Sequence, residues 1–188
     1  MTKLWGGFKI RAHRILPLPS HFFQPVHVMI RIATNQDAQG VIDLISSCYS
    51  EYGDLVCLEP GGAEAELLDI ETHYRGRGGE FWVLDLDGEI CGSHATVPFD
   101  DHPEICGFRR LYLKKSLRGN TDWGHRLMQV TIDWARNQGF REVQFWSDTR
   151  FERAHQFFGK FGFIPDGRVR EMHDSHEPYS EYFFSLKL

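Results

Sequence analysis

The 188-residue sequence contains no apolar stretch near the ~20 residues that a membrane-spanning helix requires, which excludes a helical bilayer span. It carries no excess of positive charge either. With 21 Lys and Arg against 26 Asp and Glu, the formal net charge of −5 argues against general nucleic-acid binding. Disulfide frameworks and zinc sites lack their signatures. Cys48, Cys57, Cys91 and Cys106 show no CxxC spacing and read as isolated thiols of a reducing compartment. The ten histidines are scattered, and although His173 and His176 fall in one expected loop, no metal is expected. Acidic residues are missing from residues 1–28, which carry Lys3, Lys9, Arg11 and Arg14 and are broken by Pro17, Pro19 and Pro25. Two readings of that leader stay open: a basic targeting segment, or an upstream extension ahead of a natural start at Met29, which we prefer. No signal-peptide core is present, so the expected compartment is the cytoplasm. No repeat or linker interrupts residues 29–188, which are expected to form one domain.

What the chain does have is a globular composition, 41% hydrophobic and 14% aromatic. Residues 29–34, Met-Ile-Arg-Ile-Ala-Thr, precede the first helix. Thr34 and Asp37 make a capping-box pair before a helix marked by Ala38, Val41, Ile42, Ile45, Cys48, Tyr49 and Tyr52 and closed by Gly53. A second helix is expected over 63–74, with Leu67, Leu68 and Ile70 inward. Asp87-Gly88 between two alternating runs is a hairpin signal, and Gly92-Ser93-His94 marks a bulge. Residues 98–103 form a turn-rich connection. A strand over 141–146 follows Gly139. Thr149 and Glu152 then read as the capping box of a last helix whose buried stripe is Ala154, Phe157, Phe158 and Phe161. Strands over 169–172 and 179–186 end the chain.

The chain is organised around residues 108–139. A strand over 108–113 runs into a basic, glycine-bearing turn, and an amphipathic helix begins near Trp123. Leu127, Val130, Thr131 and Trp134 share a face, with Met128 and Ala135 at its edge and Gly139 at the stop. Asn120, Thr121 and Asp122 are alternative N-caps. Strand, glycine loop and helix N-terminus together aim unpaired N–H groups at one spot, which suits a pyrophosphate assisted by Arg118 and Arg126. An ordinary strand–turn–helix of any α/β protein is the blander reading of this segment.

Arg118-Gly119 and Trp123-Gly124-His125-Arg126-Leu127 resemble the two ends of the acetyl-CoA-binding motif of the GNAT superfamily of N-acetyltransferases. Three residues, Asn120 to Asp122, stand where the commonest form has two, and the middle glycine is missing. Ala154, Phe157, Phe158, Phe161, Gly162 and Phe163 resemble that superfamily's second block, in the expected order. The resemblance implies an α/β (α+β) fold, with a central mixed, mostly antiparallel sheet flanked by about four helices. It implies transfer of an acetyl group from acetyl-CoA to an amine by direct attack, with a small-molecule or peptide amine as partner, no nucleic acid and no membrane. A homodimer through the aromatic C-terminal strands stays open.

Coenzyme contacts are implied for Leu111, Tyr112, Leu113, Arg118, Gly119, Asn120, Trp123, Gly124, His125, Arg126 and Phe158. Glu51, Tyr52, Asp54 and Glu59 are candidates to hold a cationic acceptor, or are solvated loop residues. The family's central-strand Glu is replaced by Gly107, so the base is sought among Asp148, His94, His155 and Glu80. Asp148 could instead help cap a helix, His94 could be a satisfied core histidine, and His155 could be a surface residue. The family's thiolate-protonating Tyr is Phe158 here, leaving water or His155 as the acid. These departures keep a second class open, a non-catalytic acyl-CoA-binding module.

Overall fold

The computed structural model describes residues 27–173 and 178–188. Seven strands, β1 (Val28–Ile32), β2 (Glu80–Leu86), β3 (Glu89–Phe99), β4 (His102–Leu113), β5 (Glu142–Asp148), β6 (Ile164–Met172) and β7 (Tyr179–Lys187), form one sheet ordered β1-β2-β3-β4-β5-β7-β6. Only β4 and β5 run parallel, joined through a helix as a parallel crossover demands. The helices are α1 (Ala38–Tyr49), α2 (Ile70–His73), α3 (Trp123–Asn137) and α4 (Glu152–Gly159). The mixed, mostly antiparallel sheet with four helices is the architecture the sequence implied.

Local chemistry explains most boundaries. Thr34 and Asp37 form the expected capping box, and Asp37 also holds Arg31 at 2.7 Å. Asp87 and Gly88 both take positive φ, the geometry of a tight hairpin turn. Val28 pairs with Leu86, so the sheet extends to the residue before Met29. Most of the leader, and His176 with the tip of the β6–β7 loop, lie outside the described residues.

Several expectations fail. The second helix is largely 3-10, spanning Ala65–Asp69 before the short α2, and Leu68 is exposed while Leu67 and Ile70 are buried. The buried face of α3 centres on Leu127, Met128, Thr131, Ile132 and Ala135, so Met128 and Ala135 are central and Val130 and Trp134 flank. α4 starts at Glu152 after Phe151, and no Thr149–Glu152 capping box forms. Phe158 is the buried member of its stripe, while Ala154, Phe157 and Phe161 are half-buried.

The core lies in two layers. α1 and α2 bury Val41, Ile45, Leu67, Ile70 and Tyr74 against one face of the β2–β4 half. On the opposite face α3 and α4 cover Phe108, Val143, Phe145, Phe163 and Phe184. Among the described residues no helix covers the β5-β7-β6 part of the face on the α1 side, and the site opens there.

Candidate active site

Two irregularities of β4 make the site. The strand is bulged: Ser93 pairs with Tyr112 and Ala95 with Arg109, so His94 on β3 faces both Arg110 and Leu111. Arg110 takes φ 56°, a left-handed conformation that an arginine adopts at a cost. Its side chain is held accordingly, donating to Glu66 at 2.5 Å, to Glu64 at 3.1 Å and to the Ala63 carbonyl at 2.5 Å. The second irregularity is a split. β4 and β5 pair over three positions, ending at Gly107 and Gln144, and no ladder joins them beyond. Past the bulge, the Leu113 carbonyl accepts from Arg118 Nε at 2.6 Å and so points away from β3. In a strand the N–H and C=O of one residue point the same way, and the direction alternates. Leu113, and Leu111 two residues earlier, therefore turn their N–H groups toward the split.

That split is a cavity of about 670 Å³, within the size range of sites for cofactors. Leu111, Tyr112, Leu113, Gly119, Gly124, His125 and Phe158, all expected at a coenzyme, line it. Asn120, Trp123 and Arg126 do not. Arg126 pairs with Asp122 one helical turn back and lies over the Trp123 ring. Arg118 does line the cavity, but its guanidinium turns inward to Glu51 at 2.9 Å and to Cys48 Sγ at 3.0 Å. On the α4 side of the cavity the cations with no ion pair among the described residues are Arg153 and, at the helix's C-cap, Lys160. The sequence reading missed both. Their spacing of seven residues, which puts them on one helical face, was the available signal.

The three expected catalytic groups fare differently. Asp148 lines the cavity at the end of β5, but Arg150 grips both its oxygens at 3.0 Å and 2.5 Å and reaches on to Asp54 at 2.6 Å. His94 contributes to the lining but is buried between the Phe108 ring and Thr131. Because the Thr131 hydroxyl donates to the Leu127 carbonyl, His94 Nδ1 is the donor to that hydroxyl. Burial pushes its pKa down to about 3, too low to hold a proton taken from an amine. It is a satisfied core histidine. His155 is absent from the lining. It packs on Tyr182 and Phe184, meets Ser147 Oγ at 3.2 Å, and burial lowers its pKa. Glu80 is also buried away from the cavity, on Arg75 and its neighbour's N–H.

Glu51, Tyr52 and Asp54 do line the cavity, yet not as free groups for a cationic acceptor. Arg118 holds Glu51, and Arg150 holds Asp54 and lies 5.8 Å from the Tyr52 ring. A chain of hydroxyls that sequence reasoning did not find runs beside them. Tyr112 donates to Tyr49 at 3.3 Å, and Tyr49 donates to Glu64 at 3.0 Å. Burial raises both phenol pKa values, so both hydroxyls keep their protons. The partners are 63 and 15 residues apart, beyond any local pattern.

An acetyltransferase (GNAT) family model matches residues 38–163. The uncharacterized N-acetyltransferase YjgM of Escherichia coli is 23% identical over 140 residues, covering 74% of this chain and 83% of that protein. N-acetyltransferase family 8 member 2 of Rattus norvegicus is 27% identical over 111 residues, or 55% of this chain. That match spans 47% of the rat protein, about half its length. Among solved structures, Salmonella typhimurium yncA with its cofactor acetyl-CoA superimposes with TM-score 0.68 at 14% identity, covering 86% of this chain and 94% of that one.

Proposed function

The chain belongs to the acetyltransferase (GNAT) family, and from that premise we propose that it acetylates a primary amine in the split between β4 and β5. The observation that carries this reading is the divergence of β4 and β5 past Gly107 and Gln144. It opens a cavity bounded by Leu111 and Leu113 on one side and by the first turn of α3 on the other. The residues present fit acetyl-CoA: inward backbone N–H groups, a glycine at Gly124, and two cations, Arg153 on α4 and Lys160 at its C-cap, that have no ion pair among the described residues. When bound, acetyl-CoA supplies an activated acetyl thioester.

The protein's own part follows from its geometry. The N–H groups of Leu111 and Leu113 donate to the carbonyl being attacked, where negative charge grows. A lysine-like amine, pKa about 10.4, must lose a proton before it can attack at neutral pH. Tyr112, Tyr49 and Glu64 form a path for that proton, each hydroxyl passing one on as it accepts one. This relay replaces Asp148, His94 and His155 as the proton route. Phe158 lines the cavity and offers no proton, so the departing thiolate takes its proton from water. A thiolate with a pKa near 8.5 leaves without prior protonation far more readily than an alkoxide would.

Gly124→Glu tests the assignment. A Cβ there would meet the Phe157 ring at 3.7 Å and Leu113 at 3.8 Å, ordinary contacts, so a Cβ is accommodated without strain. An acid in the first turn also favours the helix dipole. The fold should persist, while acetyl-CoA affinity measured by calorimetry should fall by about a hundredfold or more, because the new charge meets the anionic coenzyme. Unchanged affinity in the folded variant would remove the coenzyme from this site.

A further inference from the structure

A second cavity, of about 460 Å³, lies behind the first. Tyr49, Glu64, Arg109, Arg110, Tyr112 and Trp146 line both, so the two meet at the bulge of β4. An amine reaching the acetyl group from the open side of the sheet passes through this second groove. Its charges are mostly matched from within. Arg77 pairs with Asp100, Arg110 with Glu64, and Arg170 with Glu181. Arg109 is the exception, since its guanidinium has no hydrogen bond or ion pair among the described residues, and it is exposed. Its direction is fixed by strand alternation. Phe108 points into the α4-side core against Phe145 and Phe163, so Arg109 points to the opposite, open face.

We propose that the acceptor is an amine that also carries a carboxylate, of the amino-acid class, and that Arg109 binds that carboxylate. This rests on the acetyltransferase reading above and narrows it. A guanidinium offers five donors in a planar fork that fits two carboxylate oxygens at once. Every carboxylate lining the groove, Glu64, Asp100 and Glu181, already has an arginine, so the groove repels no acid and has one cation to spare. Phe99 and Trp146 supply an apolar wall for the acceptor's body. The carboxylate anchored at Arg109 leaves the amine beside Tyr112, where the proton path starts. The acidic loop residues that would favour a polyamine instead, Glu51 and Asp54, are held by Arg118 and Arg150.

The test compares L-phenylalanine and L-methionine with their carboxamides as acceptors for the full-length protein, with acetyl-CoA as donor and CoA release as readout. A carboxamide keeps the amine, with a lower pKa, and removes only the charge, so chemistry alone would favour it. The wild type should nevertheless prefer the free carboxylates by about tenfold or more in kcat/KM. Arg109→Gln should abolish that preference through KM with little change in kcat, and Arg109→Lys should restore part of it. The side chain is exposed, so both variants should melt as the wild type does. Equal or better turnover of the carboxamides, or a preference that survives in Arg109→Gln, overturns the proposal. So does transfer to polyamines alone by a protein that binds acetyl-CoA, an outcome that leaves the acetyltransferase reading standing. Failure to bind acetyl-CoA, measured by calorimetry before any acceptor is added, overturns both and is distinguished by that first step.

Discussion

The cavity proposed to hold the coenzyme and the groove proposed to hold the acceptor share Tyr49, Glu64, Arg110 and Tyr112, but they dispose of their charges in different ways. Around the cleft, the cations nearest the recognisable motif are neutralised within the molecule, Arg118 by Glu51 and Arg126 by Asp122. Those without an ion pair among the described residues are Arg153, whose guanidinium lies beside Gly119 of the motif's own loop, and Lys160 at the C-terminal end of α4. In the groove the pairing is almost complete and leaves Arg109. A charged side chain can serve a ligand in proportion to what its own neighbours leave unmatched. The motif's arginines are therefore poorer guides to the phosphates than two exposed residues outside the motif.

The strongest way to break this comparison is to reverse the α4 charges. Arg153→Glu combined with Lys160→Glu should weaken acetyl-CoA binding by between about tenfold and a hundredfold, most at low ionic strength, since exposed charges are screened within a Debye length of about 10 Å at 0.1 M salt. Calorimetry at two salt concentrations reads the effect. Affinity within threefold of wild type at low salt would return the phosphates to the α3 side of the cleft.

A smaller effect is expected on the groove side, at the proton path. Tyr49→Phe removes one hydroxyl between Tyr112 and Glu64, keeps the ring that packs edge-on to Tyr112 at 5.8 Å, and changes no charge. The rate constant kcat should fall by about tenfold with KM for the acceptor little changed, the signature of a group used on the way to the transition state. The loss should shrink at high pH, where more of the amine arrives already deprotonated. An unchanged kcat at neutral pH would mean that solvent in the cavity takes the proton directly.

Much of the fold was legible because its signals are local. The helical repeat of α1 and the Asp87-Gly88 turn each rest on residues within about a dozen positions of one another, and the β4–α3–β5 unit is read from three such local patterns in succession. The second helix was misread because its apolar residues fit a helical repeat while the backbone is 3-10 there, tied down by long-range contacts. Glu64 accepts from the Cys57 N–H and from Tyr49, and Glu66 holds Arg110 across 44 residues. In the site, the cleft wall of Leu111, Leu113, Gly119 and Gly124 followed from strand, loop and helix order. Side-chain availability did not follow, because it depends on partners such as Glu51 for Arg118, 67 residues away. The bulge expected at Gly92-Ser93-His94 has a counterpart on β3 itself, where Cys91 is extra against β2, and a second lies across from it on β4 at Arg110 and Leu111.

The smallest predicted effect sharpens the comparison most, because it concerns a residue the motif itself nominates. Arg126 sits in the first turn of α3, where a cation beside a helix N-terminus would ordinarily assist a pyrophosphate. Its Nε instead lies 2.8 Å from Asp122 one turn earlier, an i,i+4 pair visible in the sequence, and both side chains are more than half exposed. Exposed pairs of this kind stabilise by only about 0.3–0.5 kcal/mol. Replacing Arg126 also removes the cation over Trp123 but changes nothing in the cavity lining. Arg126→Gln should therefore alter acetyl-CoA affinity by less than about threefold, below 0.7 kcal/mol by the relation between Kd and free energy. Asp122→Asn should tighten binding slightly, because it removes an acid near the helix N-terminus and frees the arginine. A tenfold loss in Arg126→Gln would show that the side chain leaves Asp122 and swings to the coenzyme on binding, and that the pairing seen here does not decide which cations a ligand can recruit.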